Sequence, residues 1–193
     1  MNNIIDCTGL KCPEPVIKTK KYFDKRSIGE AVVIVDNEVA KNNIIKLCGS
    51  KGFKSEVTKD NELFHIRVVK DESVSAHSKL ENKKLTIVAG TDKLGVGDDK
   101  LGIALMKSYM FALSESDIIP EYMVFLNGGV KLTTESSEVL ESLNKLKSRG
   151  VSILSCGTCL DFYDLKNKLV IGEISNMYTI IQIMNEADKT IKL

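Results

Sequence analysis

The sequence contains no tryptophan, few other aromatic residues and no marked net charge. Aromatic residues make up 6% of its 193 positions, and the formal net charge is +1. Single-stranded nucleic acid is held by basic grooves with aromatic stacking platforms, so we expect no direct nucleic-acid binding. The sequence also lacks a run of about 18 apolar residues, which a membrane span requires, and its first residues lack the basic and apolar regions of a signal peptide. We therefore expect a cytoplasmic protein with no membrane partner.

Only two histidines accompany the five cysteines, which limits the metal sites and disulfides that the chain can form. An odd number of cysteines in a reducing compartment argues against a disulfide framework. His65 and His77 lie far along the chain from Cys156 and Cys159, and there is no second Cys-x-x-Cys, so a zinc site is disfavoured. The segment 95–97 lacks the third glycine of a dinucleotide-binding loop. We predict no cofactor and no metal.

A polar segment without periodicity, residues 71–83, divides the sequence into two halves and is interpreted as a linker. In residues 1–70 the predicted elements follow the order βαβαββ, which indicates a two-layer sandwich. In residues 84–193 strands and helices alternate, which indicates a doubly wound parallel sheet. The fold class is therefore α/β in both domains. The predicted strands lie near residues 3–6, 30–36, 53–59, 63–70, 84–90, 122–127, 151–154 and 190–193.

A helix predicted at residues 99–114 is apolar nearly all round. A sheet packs against only one side of a helix, so the remaining apolar surface must be buried by another part of the protein or by a second chain. We expect the second domain to form a homo-oligomer through it.

Cys12 is the strongest candidate for a reactive group. It follows a strand and a turn, and Pro13 and Pro15 begin a helix directly after it, where proline is tolerated. The backbone N–H groups and the positive dipole end of a helix start stabilise an anion, which favours the thiolate form of a cysteine. The alternative is a cysteine that packs in the core.

The segment GLKCPEPV, residues 9–16, resembles the signature of the TusA/SirA family of small sulfur-carrier proteins. The resemblance covers nearly all of residues 1–70 and includes the βαβαββ order. It implies that Cys12 carries sulfur as a persulfide between a cysteine desulfurase, or another sulfur or selenium donor, and an unknown acceptor protein. It also implies that Gly9, Pro13 and Pro15 shape the loop around Cys12.

The other cysteines leave alternatives open. Cys7 either resolves Cys12 across the turn or ends a buried strand, whereas Cys48 falls on the apolar face of a predicted helix and is expected in the core. Cys156 and Cys159 form a Cys-x-x-Cys at the carboxyl end of a predicted strand, where open α/β sheets bind ligands. This pair is either a reactive dithiol or inert packing. If it is reactive, Cys156 is nearest the helix start and should be the more acidic thiol, and Cys159 resolves it.

The second domain resembles the DsrE/DsrF-like family, whose members include sulfur-relay proteins with a cysteine at this kind of strand end. The shared features are the element order, the loop at 94–98, the turn at 127–131 and Cys156. The fusion of the two domains, with CGTCL at 156–160 and GEISNM at 172–177, resembles the YedF proteins, which are associated with selenium metabolism. This resemblance implies a sulfurtransferase-like carrier that takes sulfur or selenium on Cys12 and passes it on through Cys156 and Cys159. The competing hypothesis is a non-catalytic redox-sensing or binding module.

Overall fold

The computed structural model describes residues 3–71 and 84–193, which form two compact units. We call residues 3–71 the first unit and residues 84–193 the second unit. The linker predicted at residues 71–83 lies outside the described residues except for Asp71, and so does His77. The domain boundaries at residues 70 and 84 stay predictions.

The first unit has the predicted βαβαββ order. Its elements are β1 (Asn3–Asp6), α1 (Glu14–Asp24), β2 (Gly29–Val35), α2 (Glu38–Lys51), β3 (Lys54–Asp60) and β4 (Leu63–Lys70). The strands form one sheet in the order β1-β2-β4-β3, in which β1 and β2 are parallel and the other pairs antiparallel. The two-layer sandwich is therefore confirmed.

One face of this sheet packs against both helices. Side chains alternate across a strand, and in β2 the buried set is Ala31, Val33 and Val35. Phe23 of α1 and Ile44 of α2 belong to the same core and are fully buried. The opposite face carries half-buried and exposed side chains, so only the helical face builds a core.

The second unit is a parallel sheet with helices between its strands. Its elements are β5 (Leu85–Ala89), α3 (Asp99–Ser114), β6 (Tyr122–Phe125), a 3-10 helix (Asn127–Thr133), α4 (Leu140–Ser148), β7 (Ser152–Cys156), α5 (Gly157–Phe162), a 3-10 helix (Lys166–Lys168), β8 (Glu173–Ser175), α6 (Met177–Glu186) and β9 (Lys189–Lys192). The strand order is β8-β7-β6-β5-β9, and every pair is parallel. The predicted α/β class and parallel sheet are confirmed.

Two elements of the second unit were missed by the sequence analysis. β8 has only three residues and none of them is buried, so it carries no alternating apolar signal. The segment read as a turn at 127–131 is part of the 3-10 helix that follows β6.

The helix α3 buries one stripe of its surface, formed by Gly102, Met106, Met110 and Ser114. Leu101 and Leu105 on its other sides are 58% and 43% exposed. The apolar surface that the sequence predicts on this helix is therefore only partly covered within one chain. Among the described residues, none of the helices combines the length and the apolar character needed to cross a bilayer.

Candidate functional site

Cys12 lies at the edge of the first unit's sheet where two parallel strands end. β1 and β2 are parallel neighbours, so their carboxyl ends share this edge. β1 leads through residues 7–13 into α1, and β2 leads through Asp36 and Asn37 into α2. Asn37 caps α2 by accepting a hydrogen bond from the Ala40 N–H at 2.8 Å. The amino ends of α1 and α2, each the positive end of a helix dipole, therefore lie at the same edge as Cys12.

Two carboxylates hold the loop before Cys12. Asp6 accepts hydrogen bonds from the Thr8 N–H and hydroxyl at 3.0 and 2.8 Å. Asp36 accepts one from the Gly9 N–H at 2.6 Å. The φ of Gly9 is 72°, a left-handed conformation that favours glycine. The Gly9 N–H, and then the Asn37 side chain, hold the pKa of Asp36 below its ordinary value, so this carboxylate stays ionised at neutral pH.

The two prolines lie at the start of α1, directly behind the cysteine. Pro13 is the N-cap residue, and a cis peptide bond joins it to Cys12. The Pro13 carbonyl accepts a hydrogen bond from the Ile17 N–H at 3.2 Å, and Pro15 is buried in the first turn. Gly9 therefore precedes Cys12 and the two prolines follow it, and their role in shaping the loop stays a prediction.

The Cys12 side chain is exposed and borders a cavity of about 230 Å³. The other lining residues come from the loop and the first turns of both helices: Leu10, Lys11, Pro15, Val16, Asn37, Val39, Ala40 and Asn43. Asn43 donates a hydrogen bond from Nδ2 to the Cys12 Sγ at 3.8 Å. A side-chain donor in this position stabilises negative charge on the sulfur.

Cys7 and Cys48 lie in the core of the first unit, and each is 1% exposed. The Cys7 N–H donates to the Ile34 carbonyl at 2.9 Å and so extends the pairing of β1 with β2. Burial raises the pKa of the Cys7 thiol, and it raises the pKa of Cys48 to about 11. The core position of Cys48 agrees with the sequence. For Cys7, burial favours packing over the resolving role.

We expect an alkylating agent at about pH 8 to modify Cys12 well before Cys48. The thiolate is the reacting form, and a pKa of about 11 leaves roughly one Cys48 side chain in a thousand ionised there. Cys7 should also react slowly because it is buried. Residue-resolved mass spectrometry over time measures the order. Equal rates for Cys12 and Cys48 in the folded protein would contradict it.

The second pair of cysteines lies at the carboxyl end of β7. Cys156 is the last residue of β7 and the N-cap of α5, and Cys159 lies in the first turn of α5. Cys156 is 3% exposed and packs with Val88, Val124 and Ile180, whereas Cys159 is partly exposed. Cys159 packs against the same cluster, and Cys156 is close enough to act on the pKa of its thiol. The fold therefore brings the two thiols together and leaves Cys159 as the more accessible one.

Asn127 and Tyr163 complete the surroundings of Cys159. The Asn127 N–H donates to the Cys159 Sγ at 3.1 Å, and the Tyr163 hydroxyl donates to the Asn127 Oδ1 at 2.9 Å. The Lys131 Nζ lies 5.1 Å from the centre of the Tyr163 ring and 3.6 Å from the Asp92 carboxylate. Burial, and then the contact with Cys156, raise the pKa of Cys159, while the Asn127 N–H lowers it.

Two residues of these sites escaped the sequence analysis. Asn43 is 31 positions from Cys12, and the contact of Tyr163 with Asn127 spans 36 positions. The one local feature that could have drawn attention to Asn43 is its position next to the buried Ile44 in the first half of α2. Within the parts of the chain that the structure describes, no group of three His, Cys, Asp or Glu side chains is placed to hold a metal ion.

Family models match both units of the chain. Residues 3–70 match the model described as Sulfurtransferase TusA, and residues 83–193 match the DsrE/DsrF-like family. A proposed sulfur carrier protein of Archaeoglobus fulgidus is 32% identical over 72 residues, which cover 35% of this chain and 94% of that protein.

Solved structures are similar to each unit separately. A SirA-like protein from Desulfitobacterium hafniense is 35% identical, with a TM-score of 0.33, and the match covers 34% of this chain and 93% of that one. The ychN protein from E. coli is 20% identical, with a TM-score of 0.46, over 57% of this chain and 99% of that one. A protein of unknown function from Methanobacterium thermoautotrophicum is 17% identical, with a TM-score of 0.45, over 58% of this chain and all of that one.

Proposed function

Because the chain belongs to the DsrE/DsrF-like family and carries a TusA sulfurtransferase domain ahead of that region, we propose that it is a sulfur carrier whose Cys12 holds the sulfur as a persulfide. The relative from A. fulgidus, whose name describes a sulfur carrier, covers the same first domain. The observation that carries the proposal is the exposed Cys12 sulfur beside the Asn43 donor, on a loop held by Asp36.

The reaction is a thiolate exchange at a sulfane sulfur. The Cys12 thiolate attacks the outer sulfur of a donor persulfide, a new S–S bond forms, and the donor leaves as its own thiolate. The terminal sulfur gained by Cys12 carries negative charge, which the Asn43 amide and the amino ends of α1 and α2 stabilise. The adjoining cavity provides room for this extra atom. An acceptor thiolate removes the sulfur by the same attack.

The partners follow from this chemistry. A cysteine desulfurase forms a persulfide on its own cysteine, so we propose this class of enzyme as the donor. Cys156 and Cys159 are proposed to receive the sulfur on its way to an acceptor protein, because their thiols meet at the edge of a sheet and Cys159 is partly exposed. Selenium undergoes the same exchange reactions as sulfur. Because of the resemblance to the YedF proteins, we propose selenium as an alternative cargo.

We place this function in the cytoplasm. All five cysteines are free, and free thiols persist in a reducing compartment.

The direct test is sulfur loading by a desulfurase. The purified full chain, incubated with a cysteine desulfurase and cysteine, should gain the mass of one sulfur atom on the peptide that contains Cys12. Cys12→Ser should lose this gain completely, because serine forms no persulfide, whereas Cys48→Ala should retain it because Cys48 is buried. An equal gain in the Cys12→Ser chain would refute the proposal. Absence of any gain in the unmodified chain would favour the redox-sensing or binding module.

We also propose that the second domain self-associates through α3. Leu101 and Leu105 leave apolar surface uncovered on this helix. In light scattering at micromolar concentration the full chain should show more than one chain mass, and the double substitution Leu101→Lys and Leu105→Lys should reduce it to one. Ile118→Lys, on a residue that is 53% exposed and lies outside α3, is the control and should change nothing. A single chain mass for the unmodified protein contradicts this proposal.

A further inference from the structure

The thiols of Cys156 and Cys159 belong to one cluster but differ in access to solvent. Cys156 is 3% exposed beneath apolar side chains, whereas Cys159 is partly exposed and forms hydrogen bonds. A sulfur donor from solution or from a partner protein therefore meets Cys159 first. Cys156 is buried beside Cys159, so a sulfur that Cys159 already carries is the one within its reach. This order is the reverse of the one that the position at the helix start suggested.

Cys159 also has a prepared hydrogen-bond donor. The Asn127 N–H donates a hydrogen bond to its Sγ at 3.1 Å. Asn127 has a φ of 46°, in the left-handed region, and the Tyr163 hydroxyl holds its side chain at 2.9 Å. Tyr163 is therefore a positioning residue, which acts on Cys159 through Asn127.

We propose that Cys156 and Cys159 form a reducing dithiol that converts a sulfane sulfur into free sulfide, with Cys159 as the entry thiol and Cys156 as the resolving thiol. This inference depends on the proposed function in one respect only, namely that Cys12 supplies the sulfur. It assigns the second unit an activity of its own, the reductive release of the cargo. For selenium, the product of the same chemistry is selenide.

The steps balance in atoms and electrons. The Cys159 thiolate attacks the outer sulfur of a persulfide, takes that sulfur, and releases the donor as a thiol. The Cys156 thiol then attacks the inner sulfur, which belongs to Cys159, and hydrogen sulfide leaves. A disulfide between Cys156 and Cys159 remains, so the two thiols have supplied the two electrons that reduce the sulfane sulfur. A small thiol or a protein dithiol restores the pair by exchange.

Access and protonation set the rate of the first attack. Burial and the contact with Cys156 keep the pKa of Cys159 above its ordinary value, so little thiolate is present at neutral pH. The other titratable groups on this side are Tyr163, Lys131 and Asp92, which interact with one another through the ring and the ion pair. Sulfide release should therefore accelerate as the pH rises from neutral.

The test uses the full chain with Cys12→Ser, so that the dithiol acts alone. The reduced protein is mixed with glutathione persulfide, and sulfide and protein mass are followed. We expect one sulfide for each chain, together with a loss of the mass of two hydrogens from the peptides of Cys156 and Cys159. Adding Cys156→Ser should stop the reaction at a persulfide on Cys159, with at least tenfold less sulfide. The variant with serine at both positions measures the spontaneous background.

Tyr163→Phe tests the positioning role without removing a thiol. It should slow sulfide release several-fold and move the pH dependence of Cys159 alkylation to higher pH, because the Asn127 N–H is held less firmly. Tyr178→Phe, which removes the same hydroxyl from an exposed tyrosine of α6, should change neither.

Two results would overturn the inference. One is a stable persulfide on Cys159 with no sulfide while Cys156 is intact. The other is undiminished sulfide release from the Cys156→Ser chain. Either result leaves the loading of Cys12 untouched, and a failure of Cys12 to load leaves this assay unaffected, so the two proposals fail separately.

Discussion

Replacing Asn43 with aspartate should slow the loading of sulfur onto Cys12 by about a hundredfold. The substitution keeps the shape of the side chain, removes the Nδ2 donor that lies 3.8 Å from the Cys12 Sγ, and puts a negative charge in its place. Loss of a hydrogen bond to a charged group costs roughly 1.5 kcal/mol at the lower end of its range, which is about tenfold. Repulsion between the carboxylate and an anionic sulfur at this distance supplies the remaining factor.

Asn43→Ala removes the Nδ2 donor without adding a negative charge. It should therefore slow sulfur loading by only about tenfold. Asn42→Ala is the matched control, because Asn42 is exposed on the same helix and lies outside the cavity. The measurement is the rate at which a desulfurase loads sulfur onto the Cys12 peptide, followed by mass spectrometry. If all three variants load at the rate of the unmodified chain, Asn43 has no role at the sulfur.

Gly129→Ala is expected to destabilise the second unit by about 3 kcal/mol, the upper end of the usual cost of overpacking. A Cβ at this position would lie 2.1 Å from the Ala89 carbonyl oxygen and 3.3 Å from the Thr91 nitrogen. The Ala89 carbonyl is a backbone group at the end of β5 that accepts a hydrogen bond from the Leu126 N–H at 2.9 Å, so it cannot move without breaking the sheet. Either the 3-10 helix shifts or the strand end does.

Gly128→Ala serves as the control for this substitution. A Cβ there meets its nearest atom at 3.8 Å, which is an ordinary van der Waals contact. Urea unfolding followed by circular dichroism should show a clear loss for Gly129→Ala and almost none for Gly128→Ala. Because Asn127 begins the same 3-10 helix, Gly129→Ala should also disturb the hydrogen bond to Cys159 and change its alkylation rate. Equal urea midpoints for the two variants would contradict the close approach at Gly129.

The sequence alone determined the elements that local chemistry specifies. The β-branched run of β2, the prolines after Cys12 and the apolar strand β5 each carry their signal within a few neighbouring residues. The same signals identified the Cys12 loop, because Gly9, Pro13 and Pro15 are adjacent to the cysteine they flank. The order of these elements was enough to predict two α/β domains and a parallel sheet in the second.

Only the tertiary structure decided what surrounds each sulfur. Asn43 reaches Cys12 because β1 and β2 pair in parallel and bring the starts of α1 and α2 to one edge. Asn127 reaches Cys159 because β6 and β7 are parallel neighbours, whose carboxyl ends meet in the same way. A contact between residues more than 30 positions apart leaves no periodic or local trace in either segment. The burial of each thiol also depends on residues far away in the sequence. The spacing of Cys-x-x-Cys does not show which thiol is buried, because the side chain that packs on Cys156 is Ile180 of α6.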